Sequence, residues 1–373
     1  MRILLAHNSY QYKGGEDSVF EDEKKLLEDN GHQVITYIRD NNEIKQYNII
    51  QKLLFPINMI FSLKTYRKIN KVIKKEKPDL IHVHNFFPLI SPSIFFTKIP
   101  KVVTLHNYRL ICPGAMLMRD QKVCELCLND SLKNAVKYRC YRNSKILTFM
   151  LSLMLKIHKK TFQKRVSKYI ALTEFNKKKL SSLIPPEKIT VKPNFVRPSK
   201  KQSKKGQAVF VGRLSKEKGF QTLLNAISDK RIKVIGKGEF ENQAGKNFDY
   251  LGFRSVDGCI NEIASSQFLI LPSEWYEGFP RTITEAFSVG TPVLASNLGN
   301  MQQIIKNGYT GILFKPGDST DLKEKAEWLF NHPEECKKMG EYAYKEYQNH
   351  YTPEKNYKQL MKIYQEVINA KDK

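Results

Sequence analysis

Short apolar runs alternate with longer amphipathic segments along most of this chain. Runs such as Arg2–Ala6, Leu80–His84 and Val102–Leu105 have the length and composition of buried strands. Segments such as Glu16–Asn30 carry apolar residues at the helical period, and Gly31 supplies a helix stop there. Repeated strand–helix units predict parallel sheets with helices on both faces, so the predicted fold class is α/β.

The alternation is interrupted once and then resumes, which predicts two doubly wound domains in a chain of 373 residues. The first domain is expected at 1–192, with a cysteine-rich insert at 108–142. Residues 193–207 contain two prolines and a run of lysine and serine, which is typical of a linker. The second domain is expected at 208–350. A last helix within 351–373 is a candidate to pack back on the first domain.

The segment Leu271–Ser296 carries the most informative chemistry. A strand leads into a turn with glycine and proline, then into a helix, and then into a second strand. The N–H groups and the dipole at a helix start suit a phosphate. Glu277 and Glu285, eight residues apart, can accept hydrogen bonds from hydroxyl groups. Phosphate and hydroxyls together describe a sugar nucleotide, whereas a lone glutamate near a helix start commonly has no ligand.

Two cations follow the first strand of the second domain. Arg213 and Lys218 stand in the loop that precedes the next helix. Ligands bind doubly wound domains at this edge, so the pair could neutralise a diphosphate and stabilise it as a leaving group. The alternative is a pair of solvated loop charges.

In the first domain, Gly14 and Gly15 form a loop in which the backbone could approach a phosphate or sugar closely, although an ordinary turn is an equal alternative. His106 directly follows the apolar run Val102–Leu105, at an edge where ligands bind. A lone histidine is more often structural than catalytic. Further candidates to line the same edge also end apolar runs: His7, Asn8, His84 and Asn85.

The Glu277–Glu285 segment resembles the E-x7-E signature of retaining glycosyltransferases of family 4, and the likeness is most specific over residues 206–318. The resemblance implies a GT-B fold, in which two Rossmann-like domains face a cleft. It also implies transfer of a glycosyl group from a nucleoside diphosphate sugar with retention at the anomeric carbon. Pro280 replaces a glycine that is frequent at this position, a departure seen in part of the family.

The resemblance assigns a role to each candidate. Glu277 is expected to hold hydroxyls of the donor sugar, and Glu285 those of the nucleotide ribose. His106 is expected near the reacting sugar, and the glycine loop is expected to face the donor. The donor is therefore expected to be bound by Gly14, Gly15, Arg213, Lys218, Arg281, Thr282, Ile283 and Glu285. The expected catalytic residues are His106, Glu277, Arg213 and Lys218.

Metal ions enter the sequence in two ways. No Asp-x-Asp motif follows a strand, so no catalytic cofactor is expected and the departing phosphate is expected to help deprotonate the acceptor. Four cysteines with the spacing C-x11-C-x2-C-x12-C could form a structural four-sulfur zinc site, and the alternative is a set of buried thiols. These are Cys112, Cys124, Cys127 and Cys140.

Positive charge is concentrated in the first half. The net charge is +25; residues 1–195 hold 35 Lys+Arg against 16 Asp+Glu, and the remainder hold 27 against 21. Leu53–Lys77 and Ile146–Lys168 each place a basic cluster after apolar residues, a pattern that favours an anionic membrane surface. Either could instead be an ordinary helix on the core. With no apolar run long enough to span a bilayer and no signal peptide, a cytoplasmic protein peripheral on the inner face of the plasma membrane is expected.

These observations predict a glycosyltransferase that extends a lipid-linked glycan in capsule or other surface polysaccharide biosynthesis. A sugar-nucleotide epimerase or phosphorylase of the same fold is one alternative. A nucleic-acid-binding protein is a distant one, because it leaves Arg213, Lys218 and both glutamates unexplained. The expected partners are thus a nucleotide sugar, a lipid-linked glycan acceptor and an anionic membrane, with no nucleic acid.

Overall fold

The structure is a computed structural model that describes residues 1–11 and 14–370. The chain divides into two compact units. Unit 1 consists of residues 1–117, 124–193 and 357–373, and unit 2 of residues 118–123 and 194–356.

Eight strands and eight helices precede residue 193 in the described chain. The strands are β1 (Arg2–Ser9), β2 (Gln33–Asp40), β3 (Leu80–Val83), β4 (Lys101–Leu105), β5 (Met118–Arg119), β6 (Lys122–Val123), β7 (Lys168–Ala171) and β8 (Ile189–Val191). The helices are α1 (Gly15–Asp29), α2 (Ile49–Ile60), α3 (Leu63–Glu76), α4 (Leu126–Asn129), α5 (Lys133–Lys137), α6 (Lys145–Ile157), α7 (Lys159–Lys164) and α8 (Glu174–Leu180). Short 3-10 helices lie at Asn41–Gln46, Pro92–Phe96 and Pro186–Lys188.

Unit 1 is built on one parallel sheet with the strand order β2-β1-β3-β4-β7-β8. Its inner strands are apolar because both of their faces are covered; β3 and β4 are buried throughout. Residues from the end of the chain complete this core, since Leu360 and Tyr364 pack with Ile3 and Leu80. The order changes direction between β1 and β3, and such a point is where doubly wound sheets bind ligands.

The remaining described chain forms six strands and eight helices. The strands are β9 (Lys205–Val211), β10 (Ile232–Ile235), β11 (Asp249–Gly252), β12 (Ser266–Leu271), β13 (Val293–Ser296) and β14 (Gly311–Phe314). The helices are α9 (Phe220–Ala226), α10 (Glu241–Asn247), α11 (Val256–Ser265), α12 (Arg281–Ser288), α13 (Gly299–Ile304), α14 (Ser319–Asn331), α15 (Pro333–His350) and α16 (Pro353–Asn369). A 3-10 turn lies at Lys216–Lys218.

Unit 2 has the parallel order β11-β10-β9-β12-β13-β14, the strand order of a dinucleotide-binding sheet. Its order changes direction between β9 and β12. The loop with Arg213 and Lys218 follows β9, and the Glu277 segment follows β12. The topology therefore brings these two distant stretches to one point, and the prediction of two Rossmann-like α/β units is confirmed.

Some elements differ from the expected ones. β9 begins at Lys205, inside the stretch expected as linker. α15 was not expected, because it buries Cys336, Gly340 and Ala343 and so lacks the leucine-rich pattern that marks a helix. β1 continues to Ser9, which places His7 and Asn8 within the strand. No helix within the described residues has both the length and the apolar character needed to cross a bilayer.

Candidate functional site

Two loops meet where the strand order of unit 2 reverses. The Glu274 N–H donates to the Glu217 carbonyl over 3.0 Å and ties the β12 segment to the β9 loop. Gly219 makes this approach possible. Its φ is +68°, and a Cβ there would lie 1.8 Å from the Pro272 carbonyl oxygen. Only glycine fits this position, so the glycine directly after Lys218 fixes how close that lysine comes to the β12 segment.

Lys218 and Glu277 form the centre of the unit 2 site. Lys218 Nζ donates to Glu277 Oε1 over 2.6 Å, and the Ser273 hydroxyl donates to the same oxygen over 2.6 Å. The side chains of Lys218 and Glu277 are 19% and 7% exposed. A carboxylate this buried needs such partners. The arrangement holds an ammonium and a carboxylate side by side at the ligand-binding edge, where an incoming diphosphate and sugar could each take one of them as partner.

Arg213 lies in the same loop with a different environment. Its guanidinium pairs with Glu217 over 2.9 Å, and its side chain is 65% exposed. An exposed ion pair of this kind contributes little to stability, so the guanidinium can turn toward another anion at small cost. The structure thus places Arg213 on the loop that bears Lys218.

The first turn of α12 contains the three residues expected to meet phosphates: Arg281, Thr282 and Ile283. Within this turn the Ile283 N–H already donates to the Pro280 carbonyl over 3.0 Å. Glu285 is buried one turn further on, with Arg281 Nε 3.7 Å from its Oε1. Burial, and to a smaller extent the Glu285 carboxylate, raise the pKa of Cys259 on α11 to about 11.

Two polar residues that support this site were missed by sequence reasoning. Ser273 was missed because it lies between the strand and the signature. Asn300, near the start of α13, donates its amide to the Glu277 and Gly278 carbonyls and so holds the turn of the signature in shape. A buried asparagine at a helix start was the available signal, but its partners lie more than twenty residues away in the chain.

In unit 1 the glycine loop is held by α1. The Gly14 N–H donates to Asp17 Oδ2 over 2.9 Å, while His7 Nε2 lies 2.9 Å from Asp17 Oδ1. Burial opposes ionisation of Asp17, yet the hydrogen bonds from His7 and Gly14 lower its pKa. A Cβ at Gly14 would meet nothing within 4 Å among the described residues.

His106 lies just beyond β4 and lines a cleft together with His84, Asn107 and Arg109. Its Nε2 is 3.1 Å from His84 Nδ1, and His84 Nε2 is 3.1 Å from Oε1 of buried Glu23. Burial lowers the pKa of His84 to about 4 and that of His106 well below its ordinary value. Burial therefore favours the neutral form of both imidazoles.

Glu16, in the first turn of α1, was not among the expected residues. Its Oε2 accepts from the Tyr10 hydroxyl over 3.1 Å and from the Asn107 amide over 3.3 Å. Burial raises the pKa of Glu16 to about 8, and the Asp17 carboxylate adds to this effect. A carboxyl that keeps its proton near neutral pH next to Asn107 can donate a hydrogen bond to a ligand hydroxyl.

The four cysteines share one region of unit 1. A Cβ at Gly114 would lie 3.6 Å from the Cβ of Cys140 and 3.7 Å from the sulfur of Cys112. Burial, with Cys112, Cys140 and Cys124 nearby, raises the pKa of Cys127 to about 12. Within the described chain, however, the one group of three candidate ligands whose donor atoms lie within 4.8 Å of one another is Glu23, His82 and His84. The zinc site stays a prediction.

Comparison with known proteins adds to this geometry. The family model described as "Glycosyltransferase Family 4" matches residues 13–200, and the model described as "Glycosyl transferases group 1" matches residues 191–346. An uncharacterised glycosyltransferase of Methanocaldococcus jannaschii is 28% identical, over 98% of this chain and 99% of its own length. N-acetyl-alpha-D-glucosaminyl L-malate synthase of Bacillus anthracis is 22% identical over 99% and 98%. A 42.6 kDa protein of the Klebsiella pneumoniae cps region is 25% identical over 76% and 75%.

Solved structures share the architecture. The sucrose-phosphate synthase of Thermosynechococcus elongatus superposes with a TM-score of 0.73 at 17% identity, over 99% of both chains. HepE of Anabaena in complex with UDP-glucose gives a TM-score of 0.69 at 15% identity, over 98% of this chain and 100% of its own. At this identity the similarity shows the fold, which is GT-B.

The buried carboxyl of unit 1 gives a pH-dependent prediction. Since the pKa of Glu16 rises from 4.5 to about 8 on folding, the native protein retains a proton that the unfolded chain releases. The stabilisation that protonated Glu16 contributes is therefore fully present below the pKa of Glu16 in the unfolded chain. It is lost as the pH rises through the pKa of Glu16 in the folded protein. Glu16→Gln should unfold with a free energy ~1–3 kcal/mol above wild type near pH 9, and close to wild type near pH 5.

Urea unfolding at both pH values measures this difference. The exposed Glu21→Gln on the same helix is the control, with changes within about 0.5 kcal/mol at either pH. An identical pH dependence in wild type and Glu16→Gln would show that Glu16 ionises normally.

Proposed function

The chain belongs to glycosyltransferase family 4 and is a glycosyltransferase, and we propose that it transfers a sugar from a nucleoside diphosphate sugar, with retention, to a lipid-linked glycan acceptor in surface polysaccharide assembly. The observation that carries the proposal is the contact between Lys218 and Glu277 at the point where the strand order of unit 2 reverses.

In this proposal unit 2 binds the donor. The diphosphate lies against the start of α12 and takes Lys218 and Arg213 as its cations, because fixed positive groups and helix N–H groups stabilise phosphate charge. When Lys218 pairs with the diphosphate instead of Glu277, the Glu277 carboxylate can accept hydrogen bonds from hydroxyls of the sugar. Glu285, one turn into α12, accepts from the ribose. The Asn300 amide keeps the intervening turn in place.

Catalysis in this proposal depends on charge that develops on the departing diphosphate. As the bond between the anomeric carbon and the phosphate oxygen breaks, negative charge grows on the leaving group, next to Lys218 and Arg213. Fixed cations placed at developing charge lower the barrier more than they tighten ground-state binding. A phosphate oxygen of the departing diphosphate takes the proton of the acceptor hydroxyl. The acceptor oxygen attacks the anomeric carbon from the face that the diphosphate leaves, so the configuration is retained.

Relatives support the donor class and the biological setting. A structural neighbour, HepE of Anabaena, has been solved with UDP-glucose, and a relative is encoded in the Klebsiella pneumoniae cps region. The first supports a nucleotide sugar as donor, and the second supports a surface glycan as product. The names of these relatives do not favour an epimerase or a phosphorylase.

We further propose that unit 1 rests on the anionic inner face of the plasma membrane. Five apolar side chains of α2 recur at helical spacing and are exposed: Ile49, Ile50, Leu53, Leu54 and Ile57. The neighbouring α6 packs on α2 and exposes Ile146 and Phe149. An exposed apolar stripe next to basic side chains suits a headgroup layer rather than water.

Basic residues lie in the stretches of chain next to that stripe. Exposed lysines and arginines lie at the end of α6, directly after it, or on α3: Lys156, Lys159, Lys160, Lys164, Arg165, Lys64, Arg67 and Lys68. Each such residue near an anionic surface contributes about 1 kcal/mol of attraction. The same surface would bring a lipid-linked acceptor to unit 1.

The donor proposal is tested with Lys218→Ala. Thermal stabilisation by a panel of UDP-, GDP- and dTDP-sugars identifies the donor, since a ligand that binds only the folded state raises its stability. With that donor, Lys218→Ala should lower kcat/KM about a hundredfold or more, because it removes a cation from transition-state charge. Lys216→Ala, an exposed lysine of the same turn, should stay close to wild type.

Two outcomes would contradict this proposal. Wild-type activity in Lys218→Ala would remove this lysine from the mechanism. Turnover of the donor sugar without any acceptor would favour an epimerase.

The membrane proposal is tested with vesicles. Wild type should cosediment with vesicles that contain anionic lipid and much less with zwitterionic ones, and added salt should weaken binding. The double variant Leu53→Gln with Ile57→Gln should bind at least tenfold more weakly, because burying each side chain contributes about 1.5–3 kcal/mol. Phe253→Gln, an exposed apolar residue of unit 2, is the matched control. Equal binding to both vesicle types, unchanged in the double variant, rules the surface out.

Metal analysis of purified, folded protein tests the zinc prediction. One equivalent of zinc is expected, and it should be lost when Cys124 and Cys127 are both replaced by serine, since a four-sulfur site loses half its ligands. Replacing Cys259 and Cys336, which lie outside the cluster, should leave the zinc content unchanged. Less than about a tenth of an equivalent in wild type excludes the site.

A further inference from the structure

Glu23 is an acidic residue in an apolar position. The buried face of α1 carries Val19, Phe20, Leu26 and Leu27, and Glu23 falls at the same helical spacing. Its side chain is 1% exposed, so its charge has to be satisfied inside unit 1. An ordinary helix would place an apolar residue there.

The Glu23 carboxylate is occupied by three partners, which lie in β3, directly after β3 and directly after β8. Oε2 accepts from Lys192 Nζ over 3.0 Å. Oε1 lies 2.9 Å from His82 Nδ1 and 3.1 Å from His84 Nε2. Burial alone would raise the pKa of Glu23, yet the Lys192 ammonium and the imidazoles lower it well below its ordinary value. Glu23 is therefore a carboxylate that only accepts hydrogen bonds.

With Glu23 as an acceptor and His84 neutral, the direction of each hydrogen bond from Glu23 through His84 to His106 at the cleft is fixed. Because Glu23 only accepts, His84 carries its proton on Nε2. Neutral His84 then offers a lone pair on Nδ1, which lies 3.1 Å from Nε2 of His106. His106 must therefore carry its proton on Nε2 and donate it to His84. Its Nδ1 is left as an acceptor, with no hydrogen-bond partner among the described residues.

We propose that Glu23 and His84 are positioning residues that hold His106 as the Nε2–H tautomer and so present its Nδ1 lone pair to the cleft beside Asn107 and Arg109. The inference deepens the proposed function, on which the catalytic role of His106 rests. There, His106 accepts a hydrogen bond from a hydroxyl of the bound sugar or acceptor. A His106 ring with no fixed tautomer or orientation would present an N–H to that hydroxyl about half of the time. A ring held as the Nδ1–H tautomer would always present an N–H.

The wild-type tautomer is measurable without any substrate. Nitrogen NMR of histidine-labelled full-length protein distinguishes protonated from unprotonated ring nitrogens, and His106→Asn assigns the signals. We expect His106 to be neutral, with Nε2 protonated and Nδ1 bare. A protonated Nδ1 in wild type overturns the proposal.

The substitution Glu23→Gln should reverse the direction of the hydrogen bonds that link residue 23, His84 and His106. Lys192 can only donate, so the glutamine oxygen must face it, and the amide NH2 then faces His82 and His84. His84 must accept on Nε2 and carry its proton on Nδ1, where it donates to His106. We expect His106 to switch to the Nδ1–H tautomer. His158 is the internal control, because its Nε2 donates to the Ile60 carbonyl over 3.0 Å, independent of Glu23.

A second variant covers the case in which Glu23→Gln does not fold. His84→Phe keeps the Glu23–Lys192 pair and removes the acceptor for His106, so both tautomers of His106 should appear. Retention of a pure Nε2–H form in either variant shows that another group sets the tautomer, and the proposal falls.

Activity provides a separate measurement. Glu23→Gln should lower kcat/KM about tenfold or more, mainly through kcat, because the reacting groups are misplaced while the donor site of unit 2 is intact. If no nucleotide sugar is turned over by wild type, the proposed function fails and the tautomer result still stands. If transfer occurs but His106 carries Nδ1–H, only the positioning proposal fails.

Discussion

A carboxylate that is removed from water has to be paired, and both candidate sites of this protein are built around that requirement. In unit 2, Glu277 is paired with Lys218; in unit 1, Glu23 is paired with Lys192. The two pairs differ in exposure. Lys218 is 19% exposed, whereas Lys192 and Glu23 are 1% exposed each. The first pair can exchange partners with an incoming ligand, while the second is locked into the core and serves to orient its neighbours.

Parallel-sheet topology determines where those pairs lie. In each unit the strand order changes direction at one point, and the loops that follow the two flanking strands both begin there. The space between them in unit 2 receives Lys218 from one side and Glu277 from the other. In unit 1, β1 carries His7 and the chain after β3 carries His84. Both sites thus follow from the same geometrical property of a doubly wound sheet.

The surface composition of unit 1 favours a membrane over nucleic acid as its proposed partner. A basic surface alone fits a phosphate backbone as well as a lipid headgroup. The apolar face of α2 does not, because Ile49, Leu53 and Ile57 are exposed on it at helical spacing. Aliphatic side chains gain by entering a lipid layer and gain little against a polyanion. The proposed lipid-linked acceptor would account for both the exposed apolar side chains of α2 and the basic charge of unit 1.

The sequence by itself determined the α/β class, the division into two Rossmann-like units and the Glu277–Glu285 signature, because each depends on local period or spacing. It also located His106, since a polar residue that ends an apolar strand must lie at the ligand-binding edge. The parts it did not reach were the supports: Ser273 and Asn300 in unit 2, and Glu23 and Lys192 in unit 1. Only the tertiary structure decided these, because residues 23, 84, 106 and 192 become neighbours through strand order and helix docking, and no spacing along the chain encodes which strand lies beside which.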